Sequence, residues 1–276
     1  MKPGIYYDLP FPTYTKADGL NQSKLKVLKR SPRKFLHAIE VGREDTEALG
    51  IGRAIHTAVL EPEKFHSMFF QLPELNLRTT AGKAERDALL VANEGKEALK
   101  ADDYQLVFDT AAAVLGHSDA AKLLRDTTRE MCIWWKDEAT DVLCKARLDA
   151  YHAPTRTIVD LKTTQDASPA AFRKSIYQYG YHLQAGWYAA ALRAHGVMVD
   201  HFVIIAVEKA SPFDVGVYRL TDEVLKLSRK ENQALLRQYA QCLRTDNWPG
   251  YTEGIVDIGL PDYALSELEA THGESI

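Results

Sequence analysis

Two acids and a lysine fall within fourteen residues of one another: Asp149 in Cys144-Lys145-Ala146-Arg147-Leu148-Asp149-Ala150, then Asp160-Leu161-Lys162. Asp160 and Lys162 are two apart in a strand-like run, so both side chains point to one face. Asp149 precedes the turn signal Ala153-Pro154-Thr155, and a hairpin would fold it back beside them. Two carboxylates beside one lysine can hold a hard divalent cation and orient a water for attack on phosphate. The flanking Ile158, Val159 and Leu161 make the second strand apolar, so charges there need a reason to be present. A plain structural Asp–Lys pair on a surface hairpin fits the same residues.

Three further groups carry chemistry. In Gly50-Ile51-Gly52-Arg53-Ala54-Ile55-His56 the glycines allow close approach of helix and backbone, and His56 follows Gly52 by one helical turn. His56 is either a satisfied core histidine or a metal ligand. Gln184 and Tyr188 share a helix face and could bond a phosphate or brace the lysine. Glu130 opens the strand before the hairpin, either as a solvated strand end or as a further carboxylate.

The elements that must position these residues change character along the chain. The first twenty residues, rich in Pro, Tyr and Gly, read as an extended arm. A helix is expected from Ser23, as N-cap, to about His37, with Pro32 bending or splitting it. Further helices are expected over Ala48–Leu60, 82–95, 103–115 and 118–125. Strands follow at Glu130–Trp135, Val142–Tyr151 and Thr157–Thr163. Ser168-Pro169 opens helical sequence with a long segment near Tyr177–His195. Phe202–Val207 and Val215–Leu220 are two more strands, and Thr221 caps a last long helix to about Leu243. The pattern is α/β, one domain with a helical N-terminal portion.

The bulk properties bound the function. With 276 residues, 46% apolar and 26% charged, the chain is ordinary for a globular domain. No apolar run approaches the roughly 18 residues of a membrane span, and the start lacks a signal-peptide core. Three cysteines without a CxxC pair argue against a disulfide framework, zinc ribbon or iron–sulfur cluster, and for a reducing, cytoplasmic setting. Gly82-Lys83 lacks the rest of a P-loop, so no ATP-driven motor is encoded. The net charge is −4, but residues 22–37 carry Lys24, Lys26, Lys29, Arg30, Arg33 and Lys34 with no acid. From 252 onward stand Glu253, Asp257, Asp262, Glu267, Glu269 and Glu274 with no Lys or Arg. Such a basic segment either localises binding of a polyanion or is a solvated helix face.

Taken together, Gly52-x-x-x-His56, Leu148-Asp149, Asp160-x-Lys162 and Gln184-x-x-x-Tyr188 resemble, in order and spacing, the PD-(D/E)XK nucleases of the RecB-like branch. Gly4-Ile5-Tyr6-Tyr7-Asp8-Leu9-Pro10, Leu60-Glu61-Pro62-Glu63, Asp160-Leu161-Lys162-Thr163-Thr164 and Trp248-Pro249 extend the resemblance, over about residues 4–250, to the RecE-like (exonuclease VIII-type) exonucleases. The resemblance implies a PD-(D/E)XK fold, with a central mixed β-sheet flanked by helices. It implies one RecE/lambda-exonuclease-like domain over 1–250, including the 1–20 arm, and an acidic tail over 251–276. It assigns Asp149, Asp160 and His56 to Mg²⁺, with Mn²⁺ as an alternative, and Glu130 to a second-metal or water-mediated contact. Lys162 would position the nucleophilic water, and Gln184 and Tyr188 would brace the site. Lys24, Lys29, Arg30, Arg33 and Arg53 become candidates for the DNA backbone or the 5′-phosphate. Asp replaces Glu in the third motif and Leu148 replaces Pro, without loss of a ligand; Ser31 stands where cluster-bearing relatives have cysteine. The implied activity is 5′-to-3′ degradation of linear double-stranded DNA ends. The implied partners are a single-strand annealing protein and further copies in a toroidal homo-oligomer, a tetramer before a trimer, with no membrane.

Overall fold

A central sheet of six strands, with helices on both faces, organises the computed structural model, which describes residues 1–42 and 46–272. In chain order the elements are β1 (Gly4–Tyr6), α1 (Phe11–Lys16), α2 (Gln22–Arg30), α3 (Pro32–Val41), α4 (Glu47–Leu60), α5 (Pro62–Met68), β2 (Phe69–Leu72), α6 (Thr80–Ala92), β3 (Glu97–Lys100), α7 (Ala101–Gly116) and α8 (Ser118–Leu124). There follow β4 (Thr128–Lys136), β5 (Leu143–His152), β6 (Thr157–Thr164), α9 (Pro169–Gln178), α10 (Tyr181–Arg193), β7 (His201–Glu208), β8 (Val215–Arg219), α11 (Asp222–Thr245) and α12 (Asp262–His272).

The sheet order is β1-β4-β5-β6-β7-β8, and β2 and β3 pair separately as a small parallel ribbon. All neighbours in the large sheet are antiparallel except β6 and β7. A parallel pair cannot be joined by a tight turn, and α9 and α10 supply the crossover. One face of the sheet packs Leu25, Leu28, Phe35, Phe172, Trp187 and Leu236 from the basic helices, α9, α10 and α11. The other packs Ile55, Val59, Phe65, Val107, Val114 and Leu124 from α4, α5, α7 and α8. The mixed sheet flanked by helices is thus as the family resemblance implied.

Local chemistry moved several boundaries. The expected helix from Ser23 to His37 is two helices. Ser31 between them is extended (φ −173°, ψ 149°), because the residue before a proline is pushed out of the helical region. Its hydroxyl accepts from Lys34 N at 3.1 Å and caps α3, while Asn21 rather than Ser23 caps α2. The first twenty residues are not uniformly extended: β1 joins the sheet edge and α1 starts beyond Pro10, with Pro12 in the first turn, where its missing N–H is no loss. Tyr177–His195 is interrupted by Gly180, in the left-handed region at φ 69°. The sequence reading did not include α5, β2, β3 or α12. The last of these lies in the acidic tail; Glu274 lies outside the described residues.

Candidate metal centre and catalytic site

The ladder between β5 and β6 covers only Ala150↔Val159, Tyr151↔Ile158 and His152↔Thr157. Where it ends, the buried Leu161 N–H needs another acceptor. Asp149 supplies it: its Oδ2 accepts from Leu161 N at 2.8 Å. The carboxylate therefore sits between the two strands instead of on a solvent face. Glu130 lies across from it, between the pairs Arg129↔Ala150 and Met131↔Leu148. Its φ is +50°, a strained value for a non-glycine residue in a strand, of order 1–3 kcal/mol.

From the opposite layer, α4 brings in His56, with Nδ1 3.6 Å from Asp149 Oδ2. Thr46 caps this helix. At Gly50 a Cβ would stand 2.3 Å from Glu97 Oε1, the tip of a side chain that could swing aside, whereas Gly52 faces open space. One ligand atom each from His56, Glu130 and Asp149 lies within 4.8 Å of the others. That donor set, one imidazole nitrogen and two carboxylates, fits a divalent cation.

Asp160 and Lys162 project from β6 together, with Lys162 Nζ 2.5 Å from Asp160 Oδ2. Asp160 is fully buried, and its Oδ2 has no aligned hydrogen bond despite the ion pair. Its other oxygen, Oδ1, accepts from Gln184 Nε2 at 3.0 Å, and the same Nε2 is 2.7 Å from the Tyr188 hydroxyl. Gln184 and Tyr188 are one turn apart on α10, so one helix face holds the acid in place. Asp160 stands outside the His56–Glu130–Asp149 group, on the side toward α10.

Burial governs the protonation of this site. It raises the pKa of Asp160 to about 6, with Lys162 opposing and Asp149 adding to the rise. It raises Glu130 to about 7 against the pull of Arg147, and raises Asp149 as well. Burial would lower Lys162, but Asp160 and Asp149 outweigh it and the lysine is held above its ordinary value. Burial and the Lys162 cation push His56 down to about 4. The imidazole is therefore neutral at pH 7, the form that offers a lone pair to a metal. Carboxyl groups held above their ordinary range are groups that a bound cation would drive back to the ionised form.

Two neighbours carry no sequence signal beyond their spacing. Tyr181 shares a face of α10 with Gln184 and Tyr188, and its ring lies 5.2 Å from Lys162 Nζ. Arg147 precedes Asp149 by two residues and binds Glu130 through Nε–Oε2. The basic candidates are dispersed. Lys29 is paired with Glu231 at 2.5 Å, and Arg53 holds both oxygens of Glu97 at 3.0 Å. Arg33 packs against Gly250. Lys24 and Arg30 are exposed on α2. That helix abuts the start of α10 through Lys26, whose Nζ donates to Tyr179 O at 2.6 Å.

Paired acids at the end of an interrupted strand ladder, a lysine two residues on and a bracing helix define a protein of the PD-(D/E)XK type. The chain belongs to a family described as a PDDEXK-like domain of unknown function (DUF3799), whose model matches residues 21–258. No curated protein matches the sequence. Among solved structures, one from Eubacterium rectale, described provisionally as an exonuclease, is similar over 97% of this chain and 100% of its own, at 13% identity and a TM-score of 0.63. A phage-related exonuclease from Haemophilus somnus is also similar, with 13% identity, 75% and 98% coverage and a TM-score of 0.35. At 13% identity the first likeness is one of fold.

Proposed function

We propose that the protein is a Mg²⁺-dependent 5′-to-3′ exodeoxyribonuclease acting on linear double-stranded DNA, leaving 3′ single strands for annealing-type recombination. One observation carries the reading: in a PDDEXK-like chain, His56, Glu130 and Asp149 gather at one point, and Asp149 bonds the backbone between Asp160 and Lys162. The shared fold with the E. rectale protein, described as an exonuclease, supports the exonucleolytic part.

His56, Glu130 and Asp149 would hold the cation, while Asp160 stands outside that group, ion-paired with Lys162. A bound Mg²⁺, or Mn²⁺ in its place, supplies Lewis-acid polarisation of phosphate and a water of lowered pKa. The rest falls to the chain. Lys162, kept charged by Asp160 and Asp149, orients the attacking water and opposes the negative charge that develops on phosphorus oxygens. Gln184 and Tyr188 fix Asp160 through Oδ1, so that Oδ2, paired with Lys162, keeps one direction. Lys24 and Arg30 on α2 would take the DNA backbone, whereas the ion pairs of Lys29 and Arg53 make them poorer candidates. Arg33 is set by its contact with the Trp248–Gly250 segment.

In this reading the enzyme works in the cytoplasm as a toroidal homo-oligomer, a tetramer before a trimer, and passes its 3′ strand to a single-strand annealing protein. Among the described residues no helix is long and apolar enough to cross a membrane. The test is digestion of linear duplexes labelled at the 5′ or 3′ end, with Mg²⁺ and with chelator. Mg²⁺-dependent release of the 5′ label as mononucleotide is expected. Early release of the 3′ label would reverse the polarity, and cutting of closed circles would make the enzyme an endonuclease. Binding without cleavage would make it a DNA-binding assembly subunit.

A further inference from the structure

Three residues of β5 that alternate along the strand, Lys145, Arg147 and Asp149, share an unusual division of labour. Asp149 belongs to the candidate cation group, while the two cations before it bond the backbone of the N-terminal arm. Lys145, almost wholly buried, donates to Tyr14 O at 2.8 Å, Thr15 O at 3.4 Å and Ala17 O at 2.6 Å, at the C-terminal end of α1. Arg147 donates through Nη1 to Leu9 O at 3.0 Å. The ring of Phe11 lies 5.4 Å from its guanidinium carbon. The same guanidinium uses Nε to bind Glu130 Oε2. Arg147 therefore joins the arm to a carboxylate of the cation group, and both side chains are only 15% exposed.

Glu130 needs such a partner. Its backbone is in the left-handed region and no other side chain among the described residues is recorded as bonding its carboxylate. A guanidinium that holds Oε2 restricts the whole Glu130 carboxylate, one oxygen of which lies within 4.8 Å of ligand atoms of His56 and Asp149, and its own plane is set by Leu9 O and Phe11. The arm is also paired to the strand that bears Glu130, through Gly4↔Trp134 and Tyr6↔Cys132. We infer that Arg147 is a positioning residue that fixes Glu130 against the N-terminal arm and so completes the cation-binding group.

This rests on reading His56, Glu130 and Asp149 as a cation site. The measurement is Mn²⁺ titration of the full chain followed by electron paramagnetic resonance, with a melting curve for each variant. Wild type should bind Mn²⁺ and Glu130→Gln should weaken it. Arg147→Lys keeps the charge but loses the planar fork, and should weaken Mn²⁺ roughly tenfold or more, the usual loss when a group that orients a metal ligand is replaced. Phe11→Ala, at an exposed ring, should weaken it by about three-fold through the looser guanidinium. Unchanged affinity in a folded Arg147→Lys protein overturns the inference. So does tighter binding by Arg147→Gln, which would mean that the arginine only repels the cation. Where Arg147→Lys does not fold, Phe11→Ala decides, and wild-type affinity there overturns it. Failure of the wild type itself to bind Mn²⁺ would refute the cation site, and this inference with it.

Discussion

At the scale of single residues, two acids of unequal role lie on neighbouring strands. Asp149 spends one oxygen on a backbone N–H and faces His56, while Asp160 is held by Lys162 and Gln184. If Lys162 orients the water, Lys162→Ala should lower cleavage at least about a hundred-fold, the range of a lost transition-state donor, and Asp160→Ala should do likewise. Both should still bind DNA in a gel-shift assay with Ca²⁺; full cleavage by either would refute the assignment. Protonation gives a second prediction, in the absence of divalent cation. Asp160 titrates near 6 against an ordinary 3.8, and Glu130 near 7 against 4.5. The folded state holds these protons more tightly than the unfolded chain, so their contribution to stability is full below about pH 4 and is lost as pH rises through 6 to 7. His56, lowered to about 4 from 6.5, runs the other way: its contribution is present above 6.5 and lost as pH falls through 4. Asp149 is raised as well, and three carboxylates against one imidazole leave a net loss toward neutral pH. Asp160→Asn removes one carboxylate contribution, so in chelator its stability should gain on the wild type between pH 4 and 7, by on the order of 1–3 kcal/mol. Denaturant melts that differ by the same amount at both pH values would exclude this.

At the scale of elements, α10 carries the brace and must sit close to α11. Gly186 makes this possible, since a Cβ there would lie 3.0 Å from Ser228 Cβ and 3.1 Å from the Arg229 backbone nitrogen. Backbone cannot give way as a side-chain tip can. Gly186→Val should therefore destabilise by about 1–3 kcal/mol and shift Gln184 away from Asp160. Lower cleavage should accompany the lower Tm, and an unchanged Tm would show that the helices can part freely. The basic layer has its own hinge at Ser31. Removing its cap with Ser31→Ala should cost about 1 kcal/mol, read in thermal melts, without altering Mn²⁺ binding.

At the scale of the whole molecule, the DNA binding proposed for a chain of net charge −4 calls for a locally basic surface. Helix α2 borders the start of the bracing helix, so a duplex lying along it would approach the acids from the α10 side. DNA affinity should fall steeply with salt, with a log–log slope of about −0.9 for each phosphate contacted. Lys24→Ala and Arg30→Ala should each reduce that slope by about 1. Arg53→Ala should instead leave the slope alone and loosen the α4–β3 contact through Glu97. A slope unchanged by Lys24→Ala and Arg30→Ala together would move the DNA footprint away from α2.

The sequence by itself indicated most of the large-sheet strands and longer helices, and the side chains that the structure brings together around Asp149 and Asp160. Alternation placed Asp160 and Lys162 on one face, helical spacing joined Gln184 to Tyr188, and Pro32 marked a break that proved to be the boundary of two helices. These are short-range consequences of backbone geometry, and so they are legible in a string. The helical turn of α1 was not, because a proline-rich segment is equally at home extended until the Lys145 ammonium takes its C-terminal carbonyls. Nor was the sharing of work among the acids. Only the tertiary structure ended the β5–β6 ladder beside Asp149, turned Asp160 toward Gln184 and set Glu130 opposite Asp149 with His56 nearby. Which carboxylates face one another depends on where strands part and on which layer brings in the histidine, and both are settled by packing between residues far apart in the chain.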